Sequence, residues 1–346
     1  MSDTVATTPS VTPGDGSTRS GVPIRFDGVT KRYPGTAAAA VDDVTFDIPA
    51  GEIVVLVGPS GCGKTTTMRM VNRMIEPTSG EVLIDGKNVM GLNGDKLRRG
   101  IGYVIQQVGL FPHMTIGHNI GLVPKLLDWD KKRVSDRVDQ LLDLVGLDPA
   151  IYRERYPRQL SGGQQQRIGV ARALAADPPV LLMDEPFGAV DPITRGHLQD
   201  ELLRIQADLG KTVVFVTHDF DEAIKLGDRI AVMREGSRFA QYDTPEAILA
   251  DPADDFVAGF VGRGAALKRL NLMPVGEAEL RPVPSDAADL PRLSERASLH
   301  DALDTMLEHG DDSALVVDRD GKAVGLLPLD AVLDVMRADS GAGSGT

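Results

Sequence analysis

The stretch EIVVLVGPSGCGKTT, residues 52–66, decides the fold. Its first half is a run of β-branched and aliphatic residues that predicts a buried strand. Its second half is a glycine-punctuated loop opening onto the helical stretch TTMRMVNRM. Gly58, Gly61 and Gly63 let backbone N–H groups wrap an anion, and the following helix aims its positive N-terminal end at the same point. Strand, loop and helix in that order, closed by a lysine and a hydroxyl, make a phosphate-binding loop. Lys64 is placed to reach β- and γ-phosphates, and Thr65 to give its hydroxyl to Mg²⁺. Far downstream, VLLMDEP (180–186) sets an acid pair at the end of a second apolar strand. There Asp184 can serve Mg²⁺ and Glu185 can polarise an attacking water.

From Ile24 to about Val261, short β-rich runs (EIVVLVG, EVLIDG, IGYVIQ, PVLLMDE, TVVFVTH, DRIAVM) alternate with helical-period stretches. That alternation predicts an α/β domain with a largely parallel sheet. The clearest helix spans 130–145, where Val134, Val138, Leu141, Leu142 and Val145 form one apolar stripe and Lys131, Lys132, Arg133 and Arg137 lie outside it, as a solvated face.

Between the two phosphate-site elements lies LSGGQQQR (Leu160–Arg167). Together with GPSGCGKTT, VLLMDEP and VFVTHD (214–219), in that order, it makes residues 24–262 resemble the nucleotide-binding subunit of an ATP-binding-cassette transporter. The resemblance implies a P-loop cassette with a mostly parallel core sheet, an antiparallel β subdomain and a helical subdomain at about 107–167. It implies ATP held by Gly58, Pro59, Ser60, Gly61, Cys62, Gly63, Lys64, Thr65 and Thr66, with Tyr33 of KRYPG stacked on adenine. Mg²⁺ would meet Thr65, Asp184 and the loop glutamine of IGYVIQQ; spacing to FPH favours Gln106 over Gln107. Catalysis would fall to Glu185, Gln106 and the switch histidine His218. Ser161, Gly162, Gly163, Gln164 and Asp191 of GAVD would complete the site of a second copy in an antiparallel pair. Two membrane permease subunits, an extracytoplasmic solute-binding protein and a peripheral place on the cytoplasmic face of the cell membrane follow from the same likeness.

The 346 residues suffice for about two domains, and a net charge of −13 argues against a nucleic-acid partner. No stretch approaches the roughly 18 apolar residues of a spanning helix. The lone Cys62 excludes an intramolecular disulfide and, placed among phosphate-binding amides at a helix N-terminus, predicts a reactive thiol. Residues 1–22 and 339–346 have the Ser/Gly-rich composition of loose tails. A Pro- and acid-containing linker is expected at 263–288.

A small α+β unit follows at 289–338. It reads as a helix with Leu299, Ala302, Leu303, Met306 and Leu307 on one face, a hairpin around Arg319-Asp320-Gly321, and a helix with Leu329, Val332, Leu333 and Met336. SALVVDRDGKAVGLL (313–327) resembles a single CBS motif. That appendage, with KTTTMRMVNRMIEPTSG (64–80) and IGYVIQQVGLFPHMTIGHNI (101–120), places the resemblance nearest the ATPases of importers for glycine betaine, carnitine, choline or proline. Importers of polyamines, amino acids or metals are the alternative, and a non-transport cassette ATPase a remote one. In CBS motifs that bind nucleotides, a Ser or Thr after the last strand and an Asp three residues on hold the ligand. Here Pro328 takes the first place and Asp330 falls one residue early. Acids outnumber bases nearly two to one over 265–346, a composition suited to sensing ionic strength, with a regulatory ligand as the alternative.

Overall fold

The computed structural model describes residues 20–36, 38–105, 109–188, 190–236, 238–262, 264–283 and 290–338. The chain opens with β1 (Ile24–Lys31), β2 (Val41–Ile48), β3 (Ile53–Val57), α1 (Lys64–Val71), β4 (Ser79–Ile84), β5 (Lys87–Asn88), α2 (Gly94–Arg99) and β6 (Ile101–Val104). A helical stretch follows: α3 (Ile116–Ile120), α4 (Leu122–Leu126), α5 (Lys131–Leu144), α6 (Pro149–Tyr152) and α7 (Gly162–Leu174). Strands and helices then alternate through β7 (Val180–Asp184), α8 (Pro192–Leu209), β8 (Thr212–Thr217), α9 (Phe220–Leu226), β9 (Arg229–Arg234), β10 (Arg238–Asp243), α10 (Pro245–Ala250) and α11 (Asp255–Val261). The C-terminal part carries α12 (Ala265–Leu270), β11 (Arg292–Ser294), α13 (Leu299–His309), β12 (Ser313–Val317), β13 (Ala323–Pro328) and α14 (Leu329–Ala338).

The central sheet has the order β10-β9-β3-β8-β7-β6, parallel except for β10. Every residue of β3, β7 and β8 is buried, as strands covered on both faces must be. The period-2 side-chain alternation divides them between two cores. Ile53, Val55 and Val57 join Leu181, Met183, Val213 and Phe215 on the face packed by α7 and α9. Val54 and Leu56 join Leu182, Val214 and Val216 on the face packed by α1 and the second sheet. A one-residue slip of β3 would exchange its side chains between the cores, so register is tightly specified. That second sheet, β2-β1-β4-β5, is antiparallel with alternating burial, and it takes EVLIDG out of the parallel set.

Asp130 caps α5 by accepting from the Arg133 amide, and Val134, Val138, Leu141 and Leu142 are buried as the stripe predicts. Arg137 is not on a solvated face. Its guanidinium donates to the Leu174 and Ala175 carbonyls at the end of α7 and lies 4.0 Å from Asp177, and burial pulls its pKa down. Its long stem carries the charge back over the edge of the stripe.

The C-terminal unit packs β11-β12-β13 and its helices around Leu293, Leu299, Ala302, Met306, Ala314, Val316, Leu327 and Val332. Leu307, expected on the apolar face, is 66% exposed. The stretch read as a linker carries α12, whose Leu270 belongs to this third core while Ala265 packs against the first. Lys268 of α12 reaches Asp221 of α9 at 2.6 Å and the Val261 carbonyl at the end of α11 at 3.0 Å, and lies 5.7 Å from the ring centroid of Phe220 on α9. At the other end, Gly21 donates to Gly210 and Val22 accepts from the Thr212 hydroxyl, so bonded backbone begins inside the segment assigned to the tail. The rest of that tail and the closing one lie outside the described residues. Among the described residues, no helix is long and apolar enough to cross a membrane.

Candidate functional site

The loop after β3 turns on left-handed backbone at Gly61 (φ 82°) and Gly63 (φ 98°), which glycine adopts without the penalty a Cβ brings. At Gly58 the restriction is contact: a Cβ there would collide with the Met233 carbonyl of β9. Gly63 begins α1 with no side-chain cap, leaving the helix N-terminus to backbone amides, the arrangement that favours phosphate. Pro59, Ser60 and Gly61 line the open side of the loop, and Thr66 follows on the first turn of α1. Lys64 is 7% exposed, and its ammonium is held by the Gly58 carbonyl at 2.7 Å and the Pro59 carbonyl at 3.0 Å.

Cys62 departs from expectation. Its side chain is fully buried in the second core, and burial raises the thiol pKa despite the nearby Lys64. Its contribution to a phosphate site is confined to backbone. Position in a loop does not tell which way a side chain turns, and here it turns inward.

Because β3 and β7 both pair with β8, the loop after β3 and the end of β7 come together. The Thr65 hydroxyl donates to Asp184 at 2.9 Å. Arg69 of α1 donates to the other Asp184 oxygen at 3.3 Å and to the Tyr103 hydroxyl at 3.2 Å. Neither Arg69 nor Tyr103 is flagged by a linear motif; they meet Asp184 only through the packing of α1 and β6 against β7. The hydroxyl and carboxylate are hard oxygen donors of the kind Mg²⁺ takes beside phosphate oxygens, so the residues fit that ion. Among the described residues no cluster of three or more His, Cys, Asp or Glu side chains gathers for a metal.

Glu185 stands in left-handed backbone (φ 45°), uncommon for a residue with a side chain and a strain that gathers at functional positions. Its amide donates to Val216 of β8 at 2.9 Å and its carbonyl accepts from Gly188. That turn swings its carboxylate to 3.4 Å from His218 Nδ1, and the His218 side chain is 64% exposed. Thr65, Asp184, Glu185 and His218 therefore form one continuous edge at the C-terminal ends of parallel strands, where open α/β sheets bind ligands.

The remaining expected residues lie around this edge. Ser161 caps α7, accepting from the Gln164 amide while the Gln164 side chain accepts from the Ser161 amide and donates to the Tyr152 hydroxyl. Gln164 is thus engaged within its own chain, whereas Ser161 and Gly162 are exposed and Gly163 backs onto Thr194. Gln166, missed in the sequence, is buried and donates to the Pro186 carbonyl, tying α7 to the turn after Glu185. Asp191 caps α8 by accepting from the Thr194 amide, which lowers its pKa, and Ile193 beside it is 78% exposed. Tyr33 presents an exposed ring with the Lys31 ammonium 5.2 Å from its centroid. Gln106 and Gln107 lie outside the described residues.

A phosphate loop joined to a strand-end acid pair, a histidine beside that pair and a serine-capped helix define an ATPase of the ATP-binding-cassette class. The family profile described as ABC transporter matches residues 41–188, and that described as CBS domain matches 283–338. The chain is 50% identical over 309 residues to the osmoprotectant import ATP-binding protein OsmV of Salmonella typhimurium, covering 88% of this chain and 78% of that one. It is 49% identical over 310 residues to the glycine betaine/carnitine/choline transport ATP-binding protein OpuCA of Bacillus subtilis, covering 89% and 79%. Among solved structures it resembles the dimeric, ADP- and phosphate-bound cassette MJ0796, with 35% identity, a TM-score of 0.57, and coverage of 64% of this chain and 98% of that one. The chain belongs to the ATP-binding subunits of ABC transporters, in the branch that carries a C-terminal CBS domain.

Proposed function

We propose that this chain hydrolyses ATP as a homodimer to energise import of a compatible solute such as glycine betaine, choline, carnitine or proline through a separate permease. The observation that carries the chemistry is the Thr65–Asp184 hydrogen bond, with Glu185 and His218 following on the same strand-end edge. What supports the solute class is the likeness, over 88% of the chain or more, to subunits named for osmoprotectant and betaine transport. The ATP-binding residues are Tyr33, Gly58–Thr66 and, from the second copy, Ser161–Gly163 and Asp191. The Gln164 side chain caps the same turn within its own chain rather than reaching the nucleotide.

Thr65, Asp184 and the loop glutamine would hold Mg²⁺, which when bound offsets charge on the β- and γ-phosphates. Lys64 exchanges its loop carbonyls for phosphate oxygens. Glu185 accepts the proton of the attacking water, and His218 fixes the γ-phosphate, so the rate comes from positioning and charge stabilisation. The chain sits peripherally on the cytoplasmic side, against two permease subunits served by an extracytoplasmic solute-binding protein. The C-terminal unit regulates, by ionic strength or a bound ligand, and the contact that supports this is Lys268 seated on α9, the helix following His218.

The test is uptake of labelled glycine betaine and choline in high-salt medium by cells lacking this chain. Rescue by the wild type and none by Glu185→Gln is expected. Rescue by Glu185→Gln overturns the catalytic assignment, and uptake of only a polyamine or metal overturns the solute class.

A further inference from the structure

Arg195 lies on the first turns of α8, four residues after Asp191, and belongs to no motif singled out in the sequence. Its guanidinium points in three directions. Nη2 donates to the Val190 carbonyl at 3.0 Å, in the loop that carries Asp191. Nη1 lies 3.8 Å from the carboxylate of Asp219, the residue after His218. Nε is buried and, among the described residues, has no hydrogen-bond partner. Arg195 also borders a cavity of about 40 Å³ lined by Glu185, Gly188, His218 and Glu222, room for a single water.

The contact continues down the two helices. Gln199, one turn beyond Arg195, donates to the buried Glu222 at 3.0 Å, and Lys225 reaches Asp200 at 2.7 Å and the Gly196 carbonyl at 3.4 Å. Asp219 caps α9 through the Asp221 and Glu222 amides, so pulling on its carboxylate moves the helix and the histidine together. Burial raises the Glu222 pKa, as fits a side chain packed between α8 and α9.

We infer that Arg195 is a positioning residue coupling the loop of Asp191 to the loop of His218, so that His218 is set over the γ-phosphate only when a second copy of the chain engages Asp191. This rests on the ATP-hydrolysing dimer proposed above. Val190 moves with the interface loop, the guanidinium follows its carbonyl, and Asp219 carries His218. The buried Nε, without a hydrogen-bond partner among the described residues, takes an acceptor as the site closes.

The test uses the full-length chain and its Arg195→Met, Arg195→Lys and Asp219→Asn variants. Arg195→Met is expected to lower kcat about tenfold with KM for ATP within about twofold, and Arg195→Lys to restore part of the loss. Combined with Glu185→Gln, Arg195→Met should still form the ATP-trapped dimer at wild-type ATP concentrations, which a folding defect would not allow. If Arg195→Met does not fold, Arg195→Lys and Asp219→Asn carry the same comparison. Unchanged kcat, or parallel loss of dimer and hydrolysis, overturns the coupling alone. Wild-type protein without hydrolysis sensitive to Glu185→Gln overturns the site reading, and the coupling with it.

Discussion

The nucleotide edge of the cassette and the C-terminal unit are built to different plans. The cassette sandwiches a six-stranded sheet between two cores, and its polar residues gather where parallel strands end, at Thr65, Asp184, Glu185 and His218. Among the described residues the C-terminal unit has three strands and one small core, and its strand end is closed by Pro328, with Asp330 paired to Arg281 at 2.6 Å. Chemistry is concentrated in the first. The second can act only through what it touches, and it touches α9 through Lys268.

The largest expected difference between the regions is catalytic. Glu185→Gln should reduce steady-state ATP hydrolysis about 100-fold or more while ATP is retained and a closed dimer accumulates, as gel filtration with labelled ATP would show. Hydrolysis near the wild-type rate would remove Glu185 from its role. Lys64→Ala should act one step earlier and weaken ATP binding at least about tenfold, since a charge facing two phosphates is lost; titration with a fluorescent ATP analogue reads this directly.

On the other side of the comparison, Leu299→Ala removes a fully buried side chain from the third core and should cost about 2–5 kcal/mol there. Thermal unfolding should then show an early transition for the C-terminal unit with ATP binding preserved. A single shifted transition that takes ATP binding with it would mean the two regions unfold as one. Subtler still, Lys268→Ala and a chain ending at Val261 should both keep ATP hydrolysis and lose its response to salt. A response with the same midpoint in both would place the sensor outside the C-terminal unit.

The smallest effects concern groups hidden inside the cassette. Native Cys62 should label with maleimide far more slowly than the denatured chain, because burial raises its pKa and blocks access. Glu222, with its pKa raised in the fold, favours folding most below its ordinary pKa of about 4.3 and loses that contribution as pH rises through the folded value. Glu222→Gln should therefore flatten the fall in melting temperature above that pH.

What could be read in the chain beforehand follows the range of the contacts. The phosphate loop, the Asp184–Glu185 pair and the α5 stripe depend on residues a few positions apart, so spacing announces them. Arg69 and Tyr103 on Asp184, Gln166 on Pro186 and Arg195 on Asp219 arise only once the strand order places β7 between β6 and β8. Arg137 and Cys62 depart from expectation for a related reason: periodicity and position locate a Cα, whereas a long stem or an inward rotamer decides where the functional atom ends. The helix α12 was hidden by its Pro- and acid-containing surroundings, although Leu270 is fully buried.

The central claim is that ATP hydrolysis here is spent on compatible-solute import, and the direct measurement is hydrolysis by this chain reconstituted with its permease in vesicles, with and without solute-loaded binding protein. Glycine betaine, choline, carnitine or proline should raise the rate several-fold, and Glu185→Gln should abolish the rise. A rate indifferent to all four solutes, or raised only by a polyamine, amino acid of another class or metal, would contradict the account.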